Sequence, residues 1–536
     1  MNKLCFLFLL NFISFFCNAQ TFQWANKVGV IKANPFITVD AIGNSYVCGS
    51  FIDTCYFGAS YLVSTGLEDI FLCKYDSLGV LQWAQRAGGA TDTDEPYDIC
   101  SDASGNVYVI GVCWGGGNFG STVLSPGDFI AKYSPTGSLI WVKHIDSVGV
   151  TYSTVVAVGD SGKLFIGGII SNPQSNFGCA VINNTPYLNY IACYDTSGNC
   201  QWVQTFVFQG YLFDMAVDKD NNAYLTGAFL DSATFGSTVL NSAGWADIYL
   251  AKCNSNGSWI WALSVGSTGY DQGSGITIDK FNHLFLTGYF NYTPAFGCST
   301  LTTTGSYDIY TSRYDTSGNC IWVQQAGGGY ANQYALGITS DNYGNCIITG
   351  DILDTTLFGN FTLIPGGENM YVVEYDSTGL CKWAVESTGV SGDRGTDIGT
   401  DSFGNIYVVG PLWVDGIHNF GSYSLNANYL PSFNMNDMFV TKINNLETGI
   451  TNLQSSTFAF QLYPNPAHNT FTISLNTPLS TVNCQLSIFD VTGRVVHEQT
   501  IINQESTIIN TNLSAGVYLL KLIAGEKVYA QKLVVE

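Results

Sequence analysis

A chain of 536 residues with 14 % aromatic residues, 11 % charged residues and 58 glycines is longer than one ordinary domain, and its balance is wrong for a helical or disordered protein. It reads as a turn-rich, mostly-strand protein with ample core. A formal net charge of -22 excludes nucleic acid as a partner, because phosphate binding needs clustered Lys and Arg to displace counterions; solubility and attraction of cations remain as uses.

The first element is a leader. Residues 1–20 carry Lys3, an apolar run from Leu4 to Phe16, and then Cys17-Asn18-Ala19, the pattern of a signal peptide cut near Gln20. The run is shorter than the roughly 20 residues that span a bilayer, no later segment approaches that length, and no transmembrane segment is expected. Two of the 16 cysteines fall in the leader, and the others would reach a compartment that permits disulfides. No C-x-x-C pair supports zinc. Cys200, Cys320 and Cys381 each stand two residues before a Trp, in the same place of different repeats, and are expected to be small buried apolar residues. Cys193 and Cys200, flanking a hairpin turn, are the best candidate pair.

From Thr21 onward the sequence repeats. Phe-Gly recurs at Phe57, Phe119, Phe177, Phe235, Phe296, Phe358 and Phe420, every 58 to 62 residues, and Asp40, Asp102, Asp160, Asp218, Asp279, Asp341 and Asp401 keep the same period. Turns such as Gly43-Asn44 and Gly404-Asn405 supply the positive φ that tight hairpins need, with the preceding Asp as a cap. Residues 275–324 show the plan of one unit, four short strands rich in β-branched and aromatic residues, suited to sheets covered on both faces. Trp83, Trp141, Trp202, Trp261, Trp322 and Trp383 mark the fourth strand of units one to six. Unit seven lacks that Trp, and Thr21-Phe22-Gln23-Trp24-Ala25 supplies it from the other end of the chain. This exchange predicts an all-β, seven-bladed β-propeller over residues 21–447, closed by the N-terminal strand, rather than an open solenoid whose edges need caps.

The Asp-x-x-Gly-Asn, aliphatic-Tyr-aliphatic and Phe-Gly elements resemble the seven-bladed β-propeller repeat family of bacterial secreted proteins. Unit three departs with Asp160-Ser161-Gly162-Lys163 in a shortened turn, and unit four has Asn221-Asn222 in place of Gly-Asn. The resemblance implies architecture and export but no single activity, since a fold does not supply a function.

After Asn445 the period stops. Residues 448–457 suit a linker, and residues 458–536 run as short strands between Pro, Gly and Asn turns, which predicts a small Ig-like β-sandwich. Tyr463-Pro464-Asn465-Pro466, Phe489-Asp490, Gly493-Arg494, Leu513, Gly516-Val517-Tyr518 and Lys532-Leu533-Val534-Val535 resemble the C-terminal sorting domain of type IX secretion cargo in Bacteroidetes. That implies the type IX machinery as a partner, passage across the outer membrane, and a secreted or surface location.

No H-E-x-x-H, G-x-S-x-G or P-loop is present, so no catalytic residue, cofactor or metal is assigned. Gly115–Gly120 fits G-x-G-x-x-G but belongs to a blade loop, and Asp218, Asp220 and Asn222 begin a calcium loop that Ala223 and Phe229 break. The long loops of a propeller gather on one face. There the sequence sets Asp92, Asp94, Glu95, Tyr270, Tyr330, Arg394 and His418, with Trp114, Trp245, Asp271, Asp393, Trp413 and Asp415 as the candidate ligand residues: aromatic platforms beside carboxylates suit glycan or cation binding. The competing reading is solvated charges and loop-packing rings. The expectation is a monomeric, non-catalytic binding or adhesion protein for a glycan or extracellular protein; the alternative is a polysaccharide lyase or hydrolase whose paired acids come from different blades.

Overall fold

The structure is a computed structural model, and it describes residues 20–32, 34–146, 151–183, 188–430 and 435–445, then 460–467, 470–475, 484–490, 495–501, 506–510, 513–524 and 527–535. The expected leader, apart from Gln20, and the linker lie outside these residues. The chain divides into two compact units, Met1–Asn445 and Leu446–Glu536. Every regular element among the described residues is a strand.

In the first unit the local chemistry of each repeat builds a four-stranded antiparallel sheet. Asp40 shows how the first turn is made: its Oδ1 accepts from the amides of Ile42 and Asn44 at 3.1 and 2.9 Å, and its Oδ2 accepts from Asn44 Nδ2 at 2.6 Å. Asp102, Asp218, Asp341 and Asp401 repeat this cap. In the third repeat Gly159, not Asp160, takes the Asp position, with its amide bonded to the Lys163 carbonyl. That turn has the ordinary length, and Asp160 lies within it, one residue past the capping position. The Phe of each Phe-Gly is buried and meets an aromatic ring of the third strand, as in Phe119 with Phe129 at 4.8 Å, Phe296 with Tyr310 at 4.8 Å and Phe420 with Phe439 at 4.6 Å.

The sheet of the fifth repeat runs Gln272–Ile278, Leu284–Phe290, Asp308–Tyr314, Cys320–Gly327. The last sheet runs Asp397–Thr400, Ile406–Leu412, Met435–Asn444 and then Thr21–Ile31, with Trp24 opposite Lys442. Innermost strands pack on one another in order, and Asp397–Thr400 packs on Phe36–Val39 of the first repeat. The architecture is all-β and propeller-like.

Neighbouring sheets are latched by an indole. Trp24 Nε1 donates to the Ser77 carbonyl at 3.2 Å, Trp83 to Pro135 at 3.1 Å, Trp202 to Ser255 at 3.0 Å, Trp261 to Thr316 at 3.2 Å and Trp322 to Ser377 at 3.0 Å. Each acceptor lies in the last turn of the next repeat. Lys74, Lys252 and Lys442 reach the same carbonyls as Trp83, Trp261 and Trp24. The turn glycine lies under the ring: a Cβ on Gly79 would fall 2.6 Å from Trp24, and one on Gly137 2.8 Å from Trp83, while both have positive φ. Trp383 has no such turn to reach, because the last sheet takes its fourth strand from the other end of the chain. There Glu374 stands at the Lys position and accepts from Trp383 Nε1 at 3.0 Å and Asn445 Nδ2 at 2.9 Å.

The cysteine expectations need correction. Cys179 bonds to Cys200 and Cys298 to Cys320, while Cys193 is free and buried. The residue after Phe-Gly overlies the start of the outermost strand, so a cysteine there finds Cys200 or Cys320, whereas Cys193 projects into the sheet core. Cys381 is free and buried, as expected, and Asn360 holds the partner position.

In the second unit Phe460–Tyr463, Thr470–Leu475 and Ser506–Asn510 form one sheet, and Cys484–Phe489, Val495–Ile501, Gly516–Ala524 and Lys527–Val535 form another. Phe471, Ile473 and Ile509 of the first pack with Leu486, Ile488, Leu520, Leu522 and Leu533 of the second in one core.

Trp24→Ala removes a ring 9 % exposed together with its hydrogen bond, and is expected to cost about 3 kcal/mol; a thermal melt matching the parent's would refute the latch. Asn360→Cys is expected to bond to Cys381 in oxidising buffer, shielding it from alkylation after unfolding, as mass spectrometry reads directly.

Candidate functional site

The face that carries the long loops is organised by one irregularity, repeated. In the second to sixth repeats the innermost strand slips register near its start, between Pro96 and Asp98, Ser153 and Val155, Leu212 and Asp214, Gly273 and Gly275, and Ala335 and Gly337. The residue just before the bulge region is Glu95, Tyr152, Tyr211, Gln272 or Tyr334, facing Val112, Ile169, Ala228, Tyr289 or Asp351 across the ladder. The bend presses that residue's carbonyl onto a glycine of the second strand. A Cβ on Gly288 would lie 2.0 Å from the Gln272 oxygen, and on Gly350 1.9 Å from that of Tyr334. Arg394 takes the same position in the last repeat, its carbonyl pressed on Gly410.

These positions carry a run of rings. Trp245 meets Tyr270 at 5.6 Å, Tyr270 stacks on Tyr289 at 6.2 Å, Tyr289 meets Tyr334 at 4.8 Å and Tyr307 at 5.4 Å, and the Arg394 guanidinium lies 5.8 Å from the Tyr334 ring and 4.6 Å from that of Trp413. Polar groups are set among them. Tyr289 and Tyr270 hydroxyls donate to Gln272 Oε1 at 2.8 and 3.1 Å, and Asn332 Nδ2 donates to the Tyr334 hydroxyl at 2.8 Å. Arg394 Nε is 2.6 Å from Asp351 Oδ1, and Nη2 is 3.0 Å from Glu368 Oε1. Burial pushes Asp351 up to about 7 against the pull of Arg394. Burial, then neighbouring tyrosines, raises Tyr289, so its phenol stays protonated and is no base.

Of the residues singled out from sequence, Trp245 is 65 % exposed and begins the run, and Trp413 ends it under Arg394. Trp114 lies apart, its ring 6.0 Å from Tyr152 and its amide bonded to the Thr93 carbonyl. Asp415 is exposed on the connection after Trp413. Asp271 and Asp393 need correction. Asp271 is buried and accepts from the Ser267 amide at 2.6 Å and the Asn291 amide at 3.0 Å; Asp393 is buried and bound by Ser387 and by His418 Nδ1 at 3.0 Å. They tie loops down, and the next residue in each case, Gln272 or Arg394, projects the opposite way. Tyr289, Tyr307, Tyr334, Asp351 and Glu368 were missed. Their signal was available for two of them: at the place before the last residue of the second strand, other repeats carry Ser50, Val112, Ile169, Ala228 and Pro411, and only the fifth and sixth carry Tyr289 and Asp351.

Deeper on the innermost strands, Asp98, Asp214 and Asp397 hold one register position, opposite Ile110, Thr226 and Val409. Each reaches the next repeat and accepts from its backbone: Val156 at 2.7 Å, Ile276 at 2.7 Å and Ile37 at 2.8 Å. Burial pushes Asp214 and Asp397 up to about 7, and raises Asp98 well above the carboxylate range with help from the other two charges. No group of three or more His, Cys, Asp or Glu side chains able to hold a metal ion occurs among the described residues.

In the second unit the Tyr463-to-Pro466 segment is exposed and fastened to the last strand: Asn465 Oδ1 accepts from the Val534 amide at 2.9 Å, and the Ala467 amide donates to the Val534 carbonyl at 2.8 Å. Pro464 and Pro466 both follow cis bonds. The Tyr518 hydroxyl donates to the Ser514 carbonyl at 2.8 Å, Gly516 is exposed, and Lys532 pairs with Leu519. Gly493 and Arg494 lie outside the described residues.

The two units thus define an extracellular-type protein, a propeller-like repeat unit followed by a small two-sheet unit bearing a sorting motif. Residues 461–536 match the family described as a secretion system C-terminal sorting domain, and residues 82–120 match a β-propeller repeat. The chain is a type IX export cargo, secreted or held at the cell surface. An uncharacterized WD repeat-containing protein of Acanthamoeba polyphaga mimivirus is 23 % identical over 485 residues, covering 72 % of this chain and 34 % of that protein; the chain therefore spans about a third of the length of this curated relative. Similar solved structures include an ulvan lyase of a new polysaccharide lyase family (11 % identity, 73 % of this chain and 93 % of that one, TM-score 0.37). A puromycin hydrolase mutant (9 %, 74 % and 54 %, 0.41) and a DUF4221 member from Bacteroides vulgatus (10 %, 80 % and 98 %, 0.32) are others.

The raised carboxyls set a pH dependence. Asp94 and Asp271, pushed by burial up to about 6, and Asp214, Asp351 and Asp397, up to about 7, contribute stability that is full below their unfolded values near 4 and is lost as pH rises through 6 to 7. Asp102 and Asp315, held low by hydrogen bonds despite some burial, lose theirs only below that window. The melting temperature is expected to fall between pH 5 and pH 8, less steeply in Asp397→Asn; calorimetry showing a rise would refute the assignment.

Proposed function

We propose that residues 21–447 form a closed seven-bladed β-propeller that binds a glycan on its long-loop face without transforming it, working as a single copy after export. Closure is supported by the pairing of Thr21–Ile31 with Met435–Asn444 and by the indole of Trp24 bonded to Ser77 of the first repeat. The observation that carries the binding reading is the run of rings from Trp245 to Trp413, crossing the fourth to seventh repeats and interleaved with Gln272, Asn332 and Arg394. Aromatic faces with a few fixed hydrogen-bonding groups are the usual means of holding sugar rings. A frame of latched sheets keeps them in position at little entropic cost on binding.

A second reading, an extracellular polysaccharide-degrading enzyme, is favoured by one feature. Asp351 and Glu368 converge beside Trp413 and Tyr334, and Asp351 is pushed by burial up to about 7, the range of a general acid. Against it, both carboxyls are engaged by the same guanidinium.

The two readings part in one experiment: a glycan array probed with the full chain, followed by an assay for new reducing ends or unsaturated products on every hit. Binding without product, lost in Trp413→Ala, is expected. Product that disappears in Asp351→Asn would establish the enzyme instead.

A further inference from the structure

We infer that the ligand of this face is an uncharged polysaccharide chain, an assignment that rests on the binding reading above. Charge carries the first part. The cations around the loop face are already committed to carboxylates: Lys32 to Glu68, Arg86 to Asp69, and Arg394 to both Asp351 and Glu368. Asp92 and Asp415 are exposed nearby, on a chain of formal net charge -22. A polyanion approaching this face meets repulsion and no uncommitted cation among these residues, so it has nothing to offset the loss of its own hydration. An uncharged chain meets no such cost.

Surface chemistry carries the second part. Sugar rings present apolar C–H faces to aromatic rings and hydroxyls at their edges, and the rings here come with matching polar groups: the hydroxyls of Tyr270 and Tyr289, oriented by the buried Gln272, and the Tyr334 hydroxyl with the Asn332 amide. Exposure points to a chain rather than a single sugar. Trp245 is 65 % exposed, Tyr292 57 % and Tyr330 94 %, in the connections of the fourth, fifth and sixth repeats, so the rings offer an open track and not an enclosing pocket. Tyr292 is also held at φ 56°, a strained setting for a bulky residue, and its ring packs so closely on Gly269 that a Cβ there would fall 2.7 Å away.

The test is affinity electrophoresis of the full chain through gels containing laminarin, xyloglucan, galactomannan, alginate or polygalacturonate. Retardation by at least one of the three uncharged polymers is expected, unchanged between 20 mM and about 300 mM salt, where screening removes most long-range charge effects. Trp245→Ala and Tyr330→Ala, both at exposed positions that do not endanger folding, are each expected to weaken it about tenfold. Retardation by alginate or polygalacturonate alone would overturn the uncharged assignment and leave glycan binding standing. Retardation by none of the five polymers would overturn both.

Discussion

The first unit depends on the contact between an indole and the turn of the next sheet. Four-stranded sheets are marginal alone, since each buries its faces only against neighbours. The Trp places a large apolar ring at that junction and directs its N–H to a carbonyl of the turn. The turn must then be glycine, and the adjacent Lys of the third strand can share the acceptor. Three features of the repeat that look independent in sequence, Trp, Gly and Lys, are one contact.

The exception supports the same physics. Where the chain's ends meet, the sixth repeat faces a sheet without the receiving turn, and an unpaired indole N–H would be costly to bury. Glu374 replaces the Lys and accepts it, with Asn445 and Lys382 holding the carboxylate. At the opposite side of that last sheet, Trp24 and Lys442 reach forward to Ser77 in the usual manner. The join between first and last repeats is therefore built with the same parts as the junctions made by Trp83 and Trp261.

The loop face follows from a second constraint, the bulge near the start of the innermost strand in the second to sixth repeats. There it re-aims one side chain and demands glycine opposite, and the seventh repeat keeps the same close approach of Arg394 to Gly410. Because the backbone device is constant, the side chain at that place is free to vary, and it does: Glu95, Tyr152, Tyr211, Gln272, Tyr334, Arg394. The preceding residue ties loops down where it is Asp94, Asp271 or Asp393. A single step along the chain thus separates Asp393, which ties the loop through His418, from Arg394, which lies on the Trp413 ring.

The sequence by itself determined the repeat, its turns, the strand supplied by Trp24 and the sorting unit, because these rest on local rules: Asp caps and Gly turns, β-rich runs, and a period that any reader can count. It did not determine which side chains share the loop face. Placement in the long loops pointed to Asp271 and Asp393 along with Arg394, and only the tertiary structure buried the two carboxylates as loop ties while leaving Arg394 against Trp413. The bridges Cys179–Cys200 and Cys298–Cys320 were equally hidden, since which hairpin tip overlies which strand is a matter of folding back in space and leaves no mark in spacing along the chain.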